Sequence, residues 1–335
     1  MSPRVLGVRA GDVEDDDFDD FDRASGYSRP RTKTRPNYSS ASQGRVLGVD
    51  RGRFVVTTDG HPTPVKAIKA RPLGRKSVVV GDYVRLLGDL SGTDDALARI
   101  VEVLPRTSLL RRSADDEDPK ERPLVANVDQ LMIVTAAADP APRIGMIDRL
   151  IVAAKASGVA PLIVVTKTDL ASPDDLVAAY SQLDVPVLPT QRGADLAAIR
   201  AALLGHSTVL VGHSGVGKST LINALVPGAG RTTGKVNDVT GKGRHTSSSA
   251  IALPLDDASW VIDTPGVRAF GLAGVSPDTV VAAFPDIAAI TDDCPRGCPH
   301  TAGAPECALD DALADGSLNP TRLASLRRIL AVCHS

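Results

Sequence analysis

The octapeptide Gly212-His213-Ser214-Gly215-Val216-Gly217-Lys218-Ser219 matches the phosphate-binding pattern G-x-x-x-x-G-K-[ST] and leaves few architectures open. Before it, Thr208-Val209-Leu210-Val211 reads as a buried strand; after it, Thr220-Leu221-Ile222-Asn223-Ala224-Leu225 reads as the start of a helix. A loop in that setting converges backbone N–H groups on an anion at a helix N-terminus, where unsatisfied donors and the helix dipole act together. Residues from Gly212 to Thr220 are therefore expected around the phosphates. Lys218 would reach the β- and γ-phosphates, and Ser219 would ligate Mg²⁺.

The surrounding segment alternates strands and helices. Val128-Asp129-Gln130-Leu131-Met132-Ile133-Val134-Thr135 begins the pattern; residues 144–157 have helical periodicity and stop at Gly158; Pro161-Leu162-Ile163-Val164-Val165 is a further buried strand. Ser172-Pro173-Asp174-Asp175 caps a helix, Val185-Pro186-Val187-Leu188 reads as a strand, and a helix runs to Leu204 before Gly205. Such alternation predicts a parallel sheet with helices on both faces, whose ligands bind at the C-terminal strand ends.

Two more motifs fall at strand ends. Thr166-Lys167-Thr168-Asp169 follows the strand ending at Val165 and is close to the N-K-x-D element that reads guanine. Asp169 would accept from guanine N1–H and the 2-amino group, whereas adenine would leave that carboxylate unpaired, a mismatch that can exceed ~10⁴-fold. Lys167 would lie along the base through its stem. Trp260-Val261-Ile262 then delivers Asp263-Thr264-Pro265-Gly266, a D-x-x-G element whose aspartate holds Mg²⁺ through water and whose glycine N–H reports the γ-phosphate. Between them, residues 227–249 form a long non-periodic stretch ending Gly243-Arg244-His245-Thr246-Ser247, read as a first switch in which Thr246 closes on Mg²⁺ and the γ-phosphate. Val267 stands where many GTPases carry a water-orienting glutamine, which makes His245 the leading candidate for that work. The base-reading element precedes the phosphate loop in the chain, so the order is that of a circularly permuted G domain.

The flanks have a different texture. Residues 1–42 carry an acidic block and then a basic one, with few apolar side chains, as expected of a disordered tail. Residues 43–112 show five short β-rich runs, at residues 45–49, 53–58, 77–80, 83–87 and 98–103, with turns at Asp59-Gly60 and Gly81-Asp82. Five such strands suit a small barrel of the oligonucleotide-binding type. That segment holds 13 Lys and Arg against 7 Asp and Glu in a chain of net charge −2, which points to a polyanionic partner met mainly through its backbone. Residues 113–122 read as a charged linker. Near the other end, Ser276-Pro277-Asp278 and Asn319-Pro320 cap helices, and Cys294, Cys298, His300 and Cys307 form a closed three-thiolate, one-imidazole set for a structural Zn²⁺. No apolar run approaches the ~20 residues that span a bilayer, and no apolar signal segment opens the chain, so a cytoplasmic protein away from the membrane is expected; a monomer is expected as well.

Together these features resemble the ribosome small-subunit-dependent GTPase A family over residues 43–335, on the permuted motif order, the Gly243-Arg244-His245-Thr246 switch and the Cys/His cluster. The resemblance implies a bacterial late-stage assembly factor that binds the small (30S) ribosomal subunit and its 16S rRNA, and hydrolyses GTP to GDP when the subunit stimulates it. Three positions depart from the family pattern: Thr166 replaces asparagine, three residues instead of four separate Cys294 and Cys298, and Pro189-Thr190-Gln191 stands for the S-A-x element behind the base. The expected fold class is multidomain: a tail at 1–42, an OB-fold β-barrel at 43–112, a circularly permuted α/β P-loop GTPase domain at 120–270, and a zinc-binding α-rich module at 271–335. The expected activity is GTP hydrolysis with Lys218, Thr246 and His245 in the reaction centre. The competing reading is a nucleotide-gated RNA-binding module in which hydrolysis is incidental.

Overall fold

The computed structural model describes residues 37–58, 61–74, 77–93, 95–112, 122–181, 183, 185–230, 250–264 and 275–333. The predicted tail up to residue 36, the predicted linker up to residue 121, the Asp59-Gly60 turn and the stretch carrying His245, Thr246 and Ser247 lie outside them, as do Gly266 and Val267, whereas Ser42 opens the first strand and Arg122 opens a later one.

Five strands between Ser42 and Val103 close a barrel. Strands β1 (Ser42–Asp50), β2 (Arg53–Thr58), β3 (His61–Lys69), β4 (Tyr83–Gly88) and β5 (Ala98–Val103) are hydrogen-bonded in the circuit β1-β2-β3-β5-β4 and back to β1. Alternate side chains fill it, among them Val46, Phe54, Val56, Val65, Ala67, Val84, Leu86 and Ile100. One strand differs from the sequence expectation. The third is His61–Lys69, not residues 77–80. Its prolines, at 62 and 64, hide the strand pattern, and they lie in the half of β3 that pairs with β2 alone, where an edge tolerates a missing N–H. Val78, Val79 and Val80 are buried without forming a barrel strand: Val78 packs into the barrel core, and Val80 makes a single bridge to Val125.

A hairpin of β6 (Leu109–Arg112) and β7 (Arg122–Ala126) leads from the barrel into the α/β part. There follow β8 (Gln130–Ala136), α1 (Ile144–Ala156), β9 (Ala160–Thr166), α2 (Asp174–Ser181), β10 (Val187–Pro189), α3 (Ala197–Leu203), β11 (Ser207–Val211), α4 (Lys218–Leu225), β12 (Ile251–Pro254) and β13 (Trp260–Asp263). Strands β10-β9-β8-β11-β13 are parallel, and β12 adds antiparallel to β13. All seven residues of β8 are buried, as the central strand of a sheet covered on both faces must be. Leu131 and Ile133 face α1 and α2; Met132, Val134 and Ala136 face α3 and α4. At the far edge β12 meets β1, so the barrel and the parallel sheet share one eleven-stranded hydrogen-bonded order.

Helices α5 (Pro277–Ala282), α6 (Pro285–Thr291), α7 (Ala308–Ala314) and α8 (Pro320–Cys333) complete the chain, with the predicted caps formed by Ser276 Oγ and Asn319 Oδ1. They pack on the α1 side of the sheet. Asp148 of α1, 3% exposed, accepts from Tyr180 Oη at 3.0 Å and from Arg328 of α8 at 2.8 Å. Burial, with the Asp148 carboxylate beside it, holds the Tyr180 phenol far above its ordinary pKa. Among the described residues no helix is long and apolar enough to cross a membrane.

The barrel is seated on β7 through Gly81, whose φ is +89° and whose added Cβ would lie 2.0 Å from the Ala126 carbonyl oxygen. Gly81→Ala is expected to cost about 2–3 kcal/mol, since both the left-handed backbone and the contact resist a methyl group. Chemical denaturation of the two proteins checks it; equal midpoints would show that the junction yields.

Candidate nucleotide site and metal cluster

Strand β11 is buried to its last residue, and the chain then turns through Gly212–Gly217 into α4. Gly212 passes so near β8 that a Cβ there would sit 2.5 Å from the Val134 carbonyl oxygen, and Gly215 and Gly217 adopt φ of +84° and +89°. Val216 is the one buried side chain of the loop, anchoring it between α4 and the sheet. Ser214 and Gly215 are exposed; His213 Nδ1 lies 2.9 Å from the Ser214 carbonyl oxygen; Ser219 and Thr220 sit in the first turn of α4.

The adjacent strand β13 ends beside this loop. Lys218 Nζ forms an ion pair with Asp263 Oδ1 and approaches the Thr264 carbonyl at 3.4 Å. The Thr264 hydroxyl donates to the Leu210 carbonyl at 2.7 Å, fixing the chain as it leaves β13. Two motifs 45 residues apart in sequence thus meet at one sheet edge.

Strand β9, on the other side of β8, delivers the Thr166-Lys167-Thr168-Asp169 loop to the same edge. The Thr166 hydroxyl lies 2.5 Å from the Val216 carbonyl of the phosphate loop and 3.2 Å from the Thr135 carbonyl. A hydroxyl has one proton, so it satisfies these oxygens one at a time, where an asparagine amide brings two N–H donors. Lys167, at φ +56°, donates its ammonium to the Asp139 carbonyl. Thr168 donates through its hydroxyl to the Thr190 carbonyl at 3.2 Å, and Thr190 N–H donates to Val165 at 2.7 Å. Asp169 is exposed at the tip. Pro189-Thr190-Gln191, a poor motif match, therefore lies against the Thr166-Lys167-Thr168-Asp169 loop all the same, and the Thr190 hydroxyl is buried there with no hydrogen-bond partner among the described residues. Asp139 was missed in the sequence because its contribution is a backbone carbonyl.

Cys294, Cys298, His300 and Cys307 come together between α6 and α7, with one donor atom from each within 4.8 Å of the others. Burial pushes the Cys307 thiol up to about 11, and the neighbouring Cys298 and Cys294 sulfurs reinforce this. Burial also lowers the His300 pKa, and its Nδ1 is enclosed with no hydrogen-bond partner among the described residues. Three converging sulfurs and an imidazole nitrogen are a donor set suited to a cation. Arg327 Nε donates to the His300 carbonyl at 3.1 Å, tying the cluster to α8.

A model of the RsgA GTPase family matches residues 103–273, half of the chain. The small ribosomal subunit biogenesis GTPase RsgA of Ectopseudomonas mendocina is 41% identical over 310 residues, covering 87% of this chain and 88% of its own. The chain belongs to the RsgA GTPase family. The protein of the same description from Pseudomonas aeruginosa is 41% identical over 264 residues, 76% of each chain. Among solved structures, YjeQ from Thermotoga maritima aligns with a TM-score of 0.62 at 25% identity, over 87% of this chain and 97% of its own. YloQ, described as a circularly permuted GTPase, aligns at 0.63 and 24% identity, over 88% and 96%, and supports the fold. The protein is accordingly a GTPase, a hydrolase acting on GTP, in which β9 comes before β11 in the chain and lies across β8 from it in the sheet.

Thr166→Val keeps the shape of the side chain and deletes its one donor. Affinity for GDP is expected to fall roughly tenfold, the loss of about one hydrogen bond that holds the two loops together. Displacement of a fluorescent GDP measures it; unchanged affinity would mean that the tie does not support binding.

Proposed function

We infer that this protein binds Mg²⁺ and GTP across the shared edge of β9, β11 and β13, and hydrolyses the nucleotide in response to the small ribosomal subunit during its maturation. The observation that carries the reading is the convergence of Lys218, Asp263 and the Thr166–Asp169 loop at the C-terminal ends of three parallel strands. Gly212 to Thr220 would surround the phosphates, with Lys218 on the β- and γ-phosphoryl oxygens. Ser219 and Thr246 would ligate Mg²⁺, Asp263 would hold it through water, and Gly266 would report the γ-phosphate. Asp169 would select guanine, with Lys167 and Thr168 shaping the loop and Thr166 binding it to the phosphates' cradle. His245 would orient the attacking water in place of the glutamine that Val267 replaces.

The barrel's outer face on β2 and β3 carries exposed Arg53 and Lys66 with Val55, a surface suited to rRNA phosphates. The cysteine–histidine cluster would hold one structural Zn²⁺, with no ligand position left for water. The relatives described above are named for small ribosomal subunit biogenesis, which supports the same partner here and action in the cytoplasm.

Hydrolysis by the purified chain, GTP against ATP, with and without small subunits, tests the reading. GTP turnover without subunits should be slow, on the order of 10⁻³ s⁻¹ or less, and should rise roughly tenfold or more when they are added. Equal use of ATP would remove the guanine assignment, and indifference to subunits would remove the partner. For the metal, native mass spectrometry should show about one zinc per chain, lost in Cys307→Ser together with the order of α6 and α7. A stable, zinc-free wild-type chain would refute that assignment.

A further inference from the structure

Arg45 belongs to the barrel strand β1, yet its guanidinium is enclosed against the parallel sheet. It lies 5.0 Å from the Trp260 ring centroid and 5.6 Å from that of Tyr83, and it donates to Ser207 Oγ at 2.9 Å and to the Asn127 carbonyl at 3.4 Å. Burial lowers its pKa, with Tyr83 and Asp129 opposing the shift, and its Nε is enclosed without a partner among the described residues. A charge met by ring faces and neutral oxygens is costlier to bury than an apolar side chain of the same size, so packing by itself does not account for this arginine.

Its contacts are specific. Ser207 opens β11, which ends in the phosphate loop; Trp260 opens β13, which ends at Asp263. Three residues along β1, Gly48 faces Ile251 of β12, and Ile251 in turn faces Asp263. One barrel strand is thus fastened at the base of both phosphate-binding strands and lies, at about 4.8 Å per strand, roughly 10 Å from the Asp263 backbone.

We propose that Arg45 is a positioning residue that couples the barrel to the hydrolytic site, so that the arrangement of β11 and β13 with bound nucleotide sets the barrel's seat, and a load on the barrel alters turnover. The proposal rests on the GTPase reading above. Because Arg45 is attached to strand bases and not to the nucleotide loops, it acts on kcat and leaves KM for GTP nearly unchanged.

Trp260 is the single tryptophan of the chain and lies under the Arg45 guanidinium, so its emission reports this contact directly. The full chain, Arg45→Gln and Ser207→Ala are compared by emission with GDP and with a non-hydrolysable GTP analogue, and by subunit-stimulated hydrolysis. In the wild type, emission should differ between the two nucleotides. In Arg45→Gln that difference should vanish and stimulated kcat should fall roughly tenfold, with KM within about twofold. Ser207→Ala unhooks Arg45 from β11 without removing the buried charge and should give an intermediate loss; it decides the matter if Arg45→Gln fails to fold by circular dichroism. Identical wild-type emission in both nucleotide states, or full stimulation in both variants with GDP binding intact, overturns the proposal. A wild-type chain that binds no guanine nucleotide overturns the GTPase reading, and this inference with it.

Discussion

The ion pair between Lys218 and Asp263 is the contact on which the arrangement of the nucleotide site depends. Both side chains are largely withdrawn from water, at 13% and 7% exposure, and neither would be tolerated there without an opposite charge. Two conditions bring them together. β11 and β13 must be adjacent and parallel, so that both chains end at one edge, and each turn must be held as it leaves the sheet. Gly212 meets the second condition by its close approach to β8, and Thr264 meets it by its hydrogen bond to Leu210. In the proposed function each partner exchanges the other for phosphate or metal, so the charge in the site stays balanced with or without nucleotide.

Permutation leaves this geometry intact because a parallel sheet is specified by which strands are neighbours, not by which comes first. β8 lies between β9 and β11, and the loops at their ends touch through Thr166 and Val216 whatever the chain order. The exchange of asparagine for threonine is absorbed the same way. The hydroxyl reaches the phosphate-loop carbonyl, and the remaining support of the base-reading loop comes from backbone groups at Asp139 and Thr190.

The parts of the protein visible in the sequence are those where function is contiguous. Each of the three phosphate and base motifs is a short loop after a buried strand, so both its chemistry and its place could be read. The cysteine and histidine set was legible for a similar reason, with four ligands close in sequence. Strand β3 was hidden because proline at 62 and 64 mimics a turn, and their tolerance depends on which neighbour each half of the strand has. β12 is four residues long and owes its existence to β13 and β1 on either side. Arg45 looked like one more charge on a basic barrel, because its burial depends on residues 38 to 215 positions away. The Thr190 contact needed the register of β10 against β9.

The C-terminal helices are joined to the nucleotide-binding part in two different ways. Covalently, the chain passes from β13, with Asp263 at its end, into α5 beginning at Pro277, so the module follows on the strand that carries Asp263. Non-covalently, it sits on α1: Arg328 caps the buried Asp148–Tyr180 pair, and Lys155 donates to the Ala283 carbonyl at 3.3 Å. Helix α1 follows the loop whose Asp139 carbonyl receives Lys167, so the same helix supports the base-reading side. A buried carboxylate shared by a phenol and a guanidinium has well-defined geometry and is costly to leave half satisfied, which favours one seat for α8 over a continuum of positions. The module is therefore fixed to α1 by hydrogen bonds and to β13 by the chain itself, and a change at the end of β13 must either be taken up by the connecting segment or be felt at α1.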